Sequence, residues 1–439
     1  MNHKPSLHRQ FEHETFPGFQ LRKCALILCL SAFIYNSAKA QLPKGAENIL
    51  QNLINEYPEK FDTVMRNKEE YRLQIIYTQI NRDDKNIPHL TTYAIDTGKY
   101  YFYCASMVKL LGIALTMEKI NNIHNTAPIS IYDSIYISGD PCGDLYEAAY
   151  RNRTNFCTPA EMIKEMLLVS NNHAFNPLYD FLTQNYANKR AHLLGYASAV
   201  VANRFASCDS FQNRCTSALM FFDRATGYLK YLQHASCNLA QPHVEGMQTI
   251  VGTGFMIGDS IGPPKNFAYN NYLSLGDLHR LVTHLCLPES QPKNHHLNLS
   301  REDYAFLHKY MGMYPSESNY PVYDTVEFHD NAFKFFITPT DTSGHVPPNI
   351  RVFNKVGQAY GFTTDCSYVQ DTLNKVEFIL SCTMYTNKDG ILNDGVYEYE
   401  SIALPFFRNL FTVVYAYELA RKRKHEPIFE PWDFSDNIY

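Results

Sequence analysis

The sequence predicts an α+β fold. Both chain ends complete one antiparallel sheet, helices flank it, and an all-helical lobe is inserted between its halves. Two observations carry this. β-rich runs lie near each end, at 73–95 and 350–385, and the stretch that follows the first of them repeats its apolar residues at helical spacing. The order is then helix, two strands, many helices, three strands, helix, which places the strands of both ends in one layer.

The elements follow in order. Residues 44–68 carry Ile49, Leu50, Leu53, Ile54, Tyr57 and Phe61 at helical spacing. Residues 73–80 and 89–95 are strand-like and flank the turn residues 81–86, so they read as a hairpin. From Ser106 to Ile120 the pattern is helical, with Val108, Leu110, Leu111, Ala114 and Leu115 forming a broad apolar face. Thr158-Pro159-Ala-Glu161 is a helix start, with Thr as N-cap, Pro at the first helical position and Glu at the third. That helix runs to Ser170, and 173–197 is helical too. Residues 200–350 read as short helices and polar loops. Strands return at 350–353, 361–369 and 376–385, and an apolar helix spans about 402–421. This gives a sheet lobe of 41–105 and 346–439, a helical lobe of 106–214 and an insertion over about 215–345.

Composition narrows the function. The chain has 439 residues, 45% hydrophobic and 19% charged, with only 20 Gly and 22 Pro, which excludes collagen-like, low-complexity and disordered classes. A net charge of −5 gives no reason to expect a nucleic-acid partner. Arg22 and Lys23 precede the apolar run 25–35, and Ser37-Ala-Lys-Ala40 follows. This is the pattern of a secretory signal over 1–40, and the run is too short to span a bilayer. The expectation is a chain exported across the inner membrane to the periplasm, with no membrane span in its mature part. Eleven Cys fit that compartment, and the two loop-flanking pairs Cys142 with Cys157 and Cys208 with Cys215 are the expected bridges. There is no C-x-x-C and no H-E-x-x-H, and His295-His296 sits in a polar loop, so no metal site is expected. No phosphate loop is present either, and no cofactor is implied.

Three short strings remain: Ser106-Met-Val-Lys109, Ser170-Asn-Asn172 and Lys355-Val-Gly357. Each alone is common. A second S-x-x-K, Ser290-Gln-Pro-Lys293, contains a proline in a polar stretch and cannot open a helix. Lys388-Asp-Gly390 is a turn. The first three differ in context. Ser106 opens an apolar helix after a strand pair, Ser170 ends a helix, and Lys355 follows a strand-like run.

In this order the strings resemble S-x-x-K, S-D-N and K-T-G of the serine β-lactamases and penicillin-binding proteins, especially the class A-like branch. The resemblance extends in order and element type over most of the chain beyond residue 40, and is weak across 200–350. It implies a serine hydrolase that forms an acyl-enzyme at Ser106. Position i+3 of a helix lies one turn above i, which brings the Lys109 amine to the Ser106 hydroxyl. Burial and a second cation, Lys355, would lower the Lys109 pKa so that it can act as base. Ser170 would relay a proton to the leaving nitrogen, Asn172 would bind the substrate amide, and Lys355 would hold its carboxylate. The backbone N–H groups of Ser106 and Gln358 would form the oxyanion hole. Gly357 would let the substrate backbone lie against the strand.

Three departures stand out. Asn171 replaces Asp, Val356 replaces Thr or Ser with loss of a hydroxyl contact to the carboxylate, and 200–212 lacks the Glu-x-x-x-Asn of class A enzymes. Asp209 is the one carboxylate there and reads as a loop residue. The expected substrates are β-lactams or peptidoglycan-derived D-Ala-D-Ala-like peptides. The alternatives are an esterase-like hydrolase using the same Ser–Lys pair, and a penicillin-binding or sensor module without turnover.

Overall fold

A computed structural model describes residues 48–139, 142, 157–337 and 347–436. They lie in one unit, Leu42–Tyr439. The leader expected over 1–40 lies outside the described residues.

The chain starts with helices α1 (Ile49–Asn55) and α2 (Pro58–Arg66). The periodicity of 44–68 predicts one helix; Pro58 divides it, because a proline disfavours helical geometry in the residue before it. Strands β1 (Gln74–Arg82) and β2 (Pro88–Ile95) form the predicted hairpin, Ile75 opposite Ile95. Then come α3 (Val108–His124), β3 (Ser134–Ser138), α4 (Pro159–Leu168), α5 (Phe175–Leu182) and α6 (Gln184–Leu193). The capping box before α4 is made: Thr158 Oγ1 accepts from Glu161 N at 3.2 Å, and Glu161 accepts from Thr158 N at 2.9 Å. Thr183 breaks 173–197 into α5 and α6 with φ +61°, and its side chain caps α6.

The insertion contributes strands β4 (Ala218–Phe222) and β5 (Leu229–Gln233) and helices α7 (Leu275–Cys286) and α8 (Arg301–Gly312). The chain closes with β6 (Ile350–Ala359), β7 (Phe362–Asp371), β8 (Val376–Tyr385) and α9 (Leu404–Ala420). Among the described residues the main sheet has the order β6-β7-β8-β1-β2, antiparallel throughout. As the sequence predicts, both ends build it: β1 pairs with β8, Gln74 opposite Thr383. Helices α1, α2 and α9 cover one face, with α9 packed on β8. Helix α7 crosses the other face against β7, β8 and β1. His279 of α7 is pinned there between Thr78 Oγ1 at 2.7 Å and Ser381 Oγ at 2.8 Å. Burial pushes its pKa down to about 3, so the ring is neutral.

The lobe between the sheet halves is not all helical. Ser134–Ser138 forms β3, which pairs with β4, and β4 with β5, across the expected boundary at 215. A five-residue strand whose partner lies eighty residues on has no local turn signal to reveal it. Residues 215–266 likewise form short strands where helices and loops were expected. The disulfides also differ from the expected pairs. Cys142 bonds Cys208, and Cys215 bonds Cys237. The second follows from strand pairing, since Cys215–Thr216 runs antiparallel to Ser236–Cys237 with the two Cys opposite each other.

Candidate active site

Ser106 sits in the 3-10 turn Ala105–Met107, which runs into α3. The turn is tied to β6. A Cβ on Gly357 would lie 2.5 Å from the Cys104 carbonyl oxygen and 3.0 Å from Met107 Cγ. Its missing side chain therefore admits the Ser106 turn. Gly357→Ala is expected to destabilise the protein by about 1–3 kcal/mol, read from the urea midpoint. A change within a few tenths would show that the turn can shift freely. Ala105 holds φ +45°, a sparsely populated conformation for a residue with a side chain, directly before the serine.

Helix α3 is buried nearly all round, and this decides the state of Lys109. Lys109 is 0% exposed. Its Nζ lies 2.9 Å from Ser106 Oγ, 2.5 Å from Ser170 O, 3.3 Å from Ser170 Oγ and 2.6 Å from Asn172 Oδ1. Burial, and then the nearby Lys355 ammonium, hold its pKa well below the ordinary lysine value.

Helix α4 ends at Leu168, and Ser170 turns the chain with φ +56° so that both its carbonyl and hydroxyl face Lys109. Lys355 Nζ donates to the same Ser170 Oγ at 2.9 Å and to Val356 O at 2.9 Å. Ser170 thus links the two lysines. Asn171 explains its own departure from Asp: Nδ2 donates to Glu165 Oε2 at 2.6 Å while Oδ1 accepts from His173 N at 2.8 Å. An ionised Asp would make the second contact and oppose Glu165 at the first.

On β6 the side chains alternate. Lys355 and Gly357 face Ser170 and the Ser106 turn; Val356 is buried in the core on the α9 side. The hairpin from β6 to β7 has a two-residue loop, Tyr360 and Gly361, both at positive φ. Its flanking pair Ala359 and Phe362 therefore exchange hydrogen bonds, and alternate pairs back along the ladder do the same. Gln358, opposite Thr363, falls between them, so its N–H points off the open sheet edge. The strings separated in sequence are thus brought together: Ser106, Lys109, Ser170, Asn172 and Lys355 form one connected polar cluster, with Gly357 beneath its turn.

Residues 46–223 match the profile of the β-lactamase enzyme family. That segment is similar to the β-lactamase enzyme family. The matched segment carries Ser106, Lys109, Ser170 and Asn172 and stops before Lys355. No curated protein matches the chain at a significant level. Among solved structures, the β-lactamase from Desulfarculus baarsii aligns at 12% identity over 85% of this chain and 99% of its own, with a TM-score of 0.45. TLA-3 extended-spectrum β-lactamase aligns at 12% over 84% and 98%, TM-score 0.45, and the β-lactamase from Burkholderia phymatum at 12% over 83% and 98%, TM-score 0.44.

Three further features around this cluster are ones that motif reading does not find. Lys334 is buried behind β6, donating at 2.8 Å to each of Met311 O, Val352 O and Asn354 Oδ1. Asp365, fully buried on β7, accepts from Asn354 Nδ2 at 3.0 Å, and its Oδ2 has no hydrogen-bond partner. Burial pushes Lys334 and Lys355 down to about 7 and Asp365 up to about 6. The third is Phe205, whose ring centroid lies 4.5 Å from Lys109 Nζ. No spacing rule marks Lys334 or Phe205; the Val-Val-Ala-Asn-Arg-Phe run shows only an aromatic in a loop. Asp209 caps the short helix Ser210–Arg214, with Oδ1 accepting from Gln212 N at 2.7 Å, the structural role of a loop carboxylate.

Proposed function

We propose that the protein is an exported serine hydrolase acting on β-lactams or D-Ala-D-Ala-like peptides through an ester at Ser106. The observation that carries this is the Lys109 amine, 2.9 Å from Ser106 Oγ and kept from solvent with a lowered pKa. A neutral amine there takes the hydroxyl proton as Oγ adds to the acyl carbon. Ser170, bridging Lys109 and Lys355, passes a proton to the leaving nitrogen. The Ser106 and Gln358 N–H groups hold the oxyanion. Asn172 binds the substrate amide and Lys355 its carboxylate. The basic and apolar pattern of 22–40 and the two disulfides support export to an oxidising compartment.

The full chain, incubated with a fluorescent penicillin, is expected to take one label at Ser106, located by peptide mass, and Ser106→Ala none. An unlabelled wild type at high reagent would overturn the β-lactam reading. The pH profile tests Lys355 separately. In the free protein Lys355 is charged below about 7 and loses its charge as pH rises through that value. The second-order labelling constant for a penicillin with a free carboxylate is therefore expected to fall above pH 7, and that for its carboxyl ester is not. Parallel profiles for the two would remove Lys355 as the carboxylate contact.

A further inference from the structure

The acylation proposed above also sets which way a substrate lies. Its carboxylate meets Lys355 and its acyl carbonyl meets the Gln358 N–H, so it runs along the open edge of β6. Whatever else the acyl carbon carries continues past Gln358 toward Tyr360, about 7 Å further on, since a strand rises about 3.4 Å per residue. Lys355 and Gly357 are buried, whereas Gln358 is exposed and Ala359 and Tyr360 are partly so. The hairpin end is therefore open to a ligand.

A cation stands at that end, and the insertion supplies it. Lys265 lies in the two-residue strand Lys265–Asn266, antiparallel to Ile250–Val251. Its Nζ sits over three rings, with centroids at 5.0 Å for Phe255, 5.4 Å for Phe267 and 5.9 Å for Tyr360. Tyr360 is the hairpin residue itself. The Phe267 and Tyr360 rings pack on Tyr103, with centroids 5.0 and 5.7 Å away. Tyr103 is three residues before Ser106, so these rings join the hairpin end to the serine turn on one side of the sheet. The aromatic bed holds an ammonium without neutralising it. Among the described residues no carboxylate hydrogen-bonds or ion-pairs with Lys265, and burial alone lowers its pKa. A half-buried cation without a counter-charge thus lies beside the path of the acyl group.

We propose that Lys265 reads the acyl side of the substrate, and that the preferred substrates are dianions: one carboxylate for Lys355 and a second anionic group, on the acyl side, for Lys265. This rests on the function proposed above and narrows its substrate class. It adds no step to the chemistry.

The test compares two penicillins that differ by one carboxylate, benzylpenicillin and α-carboxybenzylpenicillin. Second-order constants for acylation of Ser106 are read by intact mass of the full chain, and their ratio cancels any change common to both. The ratio of the carboxylated to the plain compound is expected to fall about fivefold in Lys265→Gln, the upper range for a partly exposed ion pair, and less in Lys265→Arg. An unchanged ratio in Lys265→Gln overturns the proposal, as does an equal fall in both variants. In the wild type the ratio is expected to drop as salt rises from about 0.1 to about 1 M, because only the carboxylated compound has the additional ion pair to screen. A wild-type ratio that salt does not move overturns the proposal even if neither variant folds. A chain acylated by neither compound overturns the function proposed above and this inference together. One acylated by both, with no dependence on Lys265, overturns this inference alone.

Discussion

Lys109→Ala is expected to slow acylation of Ser106 by about 10²–10⁴-fold, the span a placed base contributes. The check is the time course of penicillin labelling, with the melting curve followed in parallel. The variant removes a buried amine that has no carboxylate partner among the described residues, so folding does not depend on it as on an ion pair. Lys109→Arg separates base from bulk. A guanidinium stays protonated at any working pH and cannot take the serine proton. It is expected to be as slow as alanine. Labelling at the wild-type rate in either variant would remove Lys109 from the mechanism.

The largest effect on stability is expected at Asp180. Its carboxylate and the Arg204 guanidinium are both fully buried. Asp180→Ala leaves the Arg204 charge buried and unpaired, and is expected to cost about 3–5 kcal/mol. Urea unfolding at an unchanged m-value measures this. A loss below 1 kcal/mol would mean that water reaches the pair. Arg204 also stacks on Tyr179, 4.8 Å from its ring centre, and precedes Phe205.

The serine helix, the hairpin of β1 and β2, the capping box of α4 and the three closing strands are legible because their signals are local. A cap, a period or an i to i+3 spacing is written within a few residues. The motifs are legible for the same reason, and their order brings Ser106, Lys109, Ser170 and Lys355 together. What the sequence hides is set by partners distant in the chain. Strand β3 is defined by β4, and Cys142 by Cys208. Nothing in the sequence around Gly357 shows that the Cys104 carbonyl packs against it. Phe205 is one aromatic among 28 phenylalanines until its ring is found on Lys109. Lys334 lies in a stretch without clear periodicity, and only burial distinguishes it from a surface lysine.

The pairing of β1 with β8 has a consequence for the order in which the molecule can be made. Gln74 and Thr383 are neighbours in the sheet yet some three hundred residues apart along the chain. Such a ladder closes late, because the loop entropy falls due before its hydrogen bonds form. Ser106 leaves the ribosome early, but the strand that seats its turn and carries Lys355 emerges only after residue 350. A nascent or truncated chain therefore carries Ser106 and Lys109 without Lys355 or the strand against which the Ser106 turn packs. The acylation proposed above can therefore begin only when synthesis is nearly complete, and a penicillin label, if the proposal holds, would double as a report that the last strands have docked.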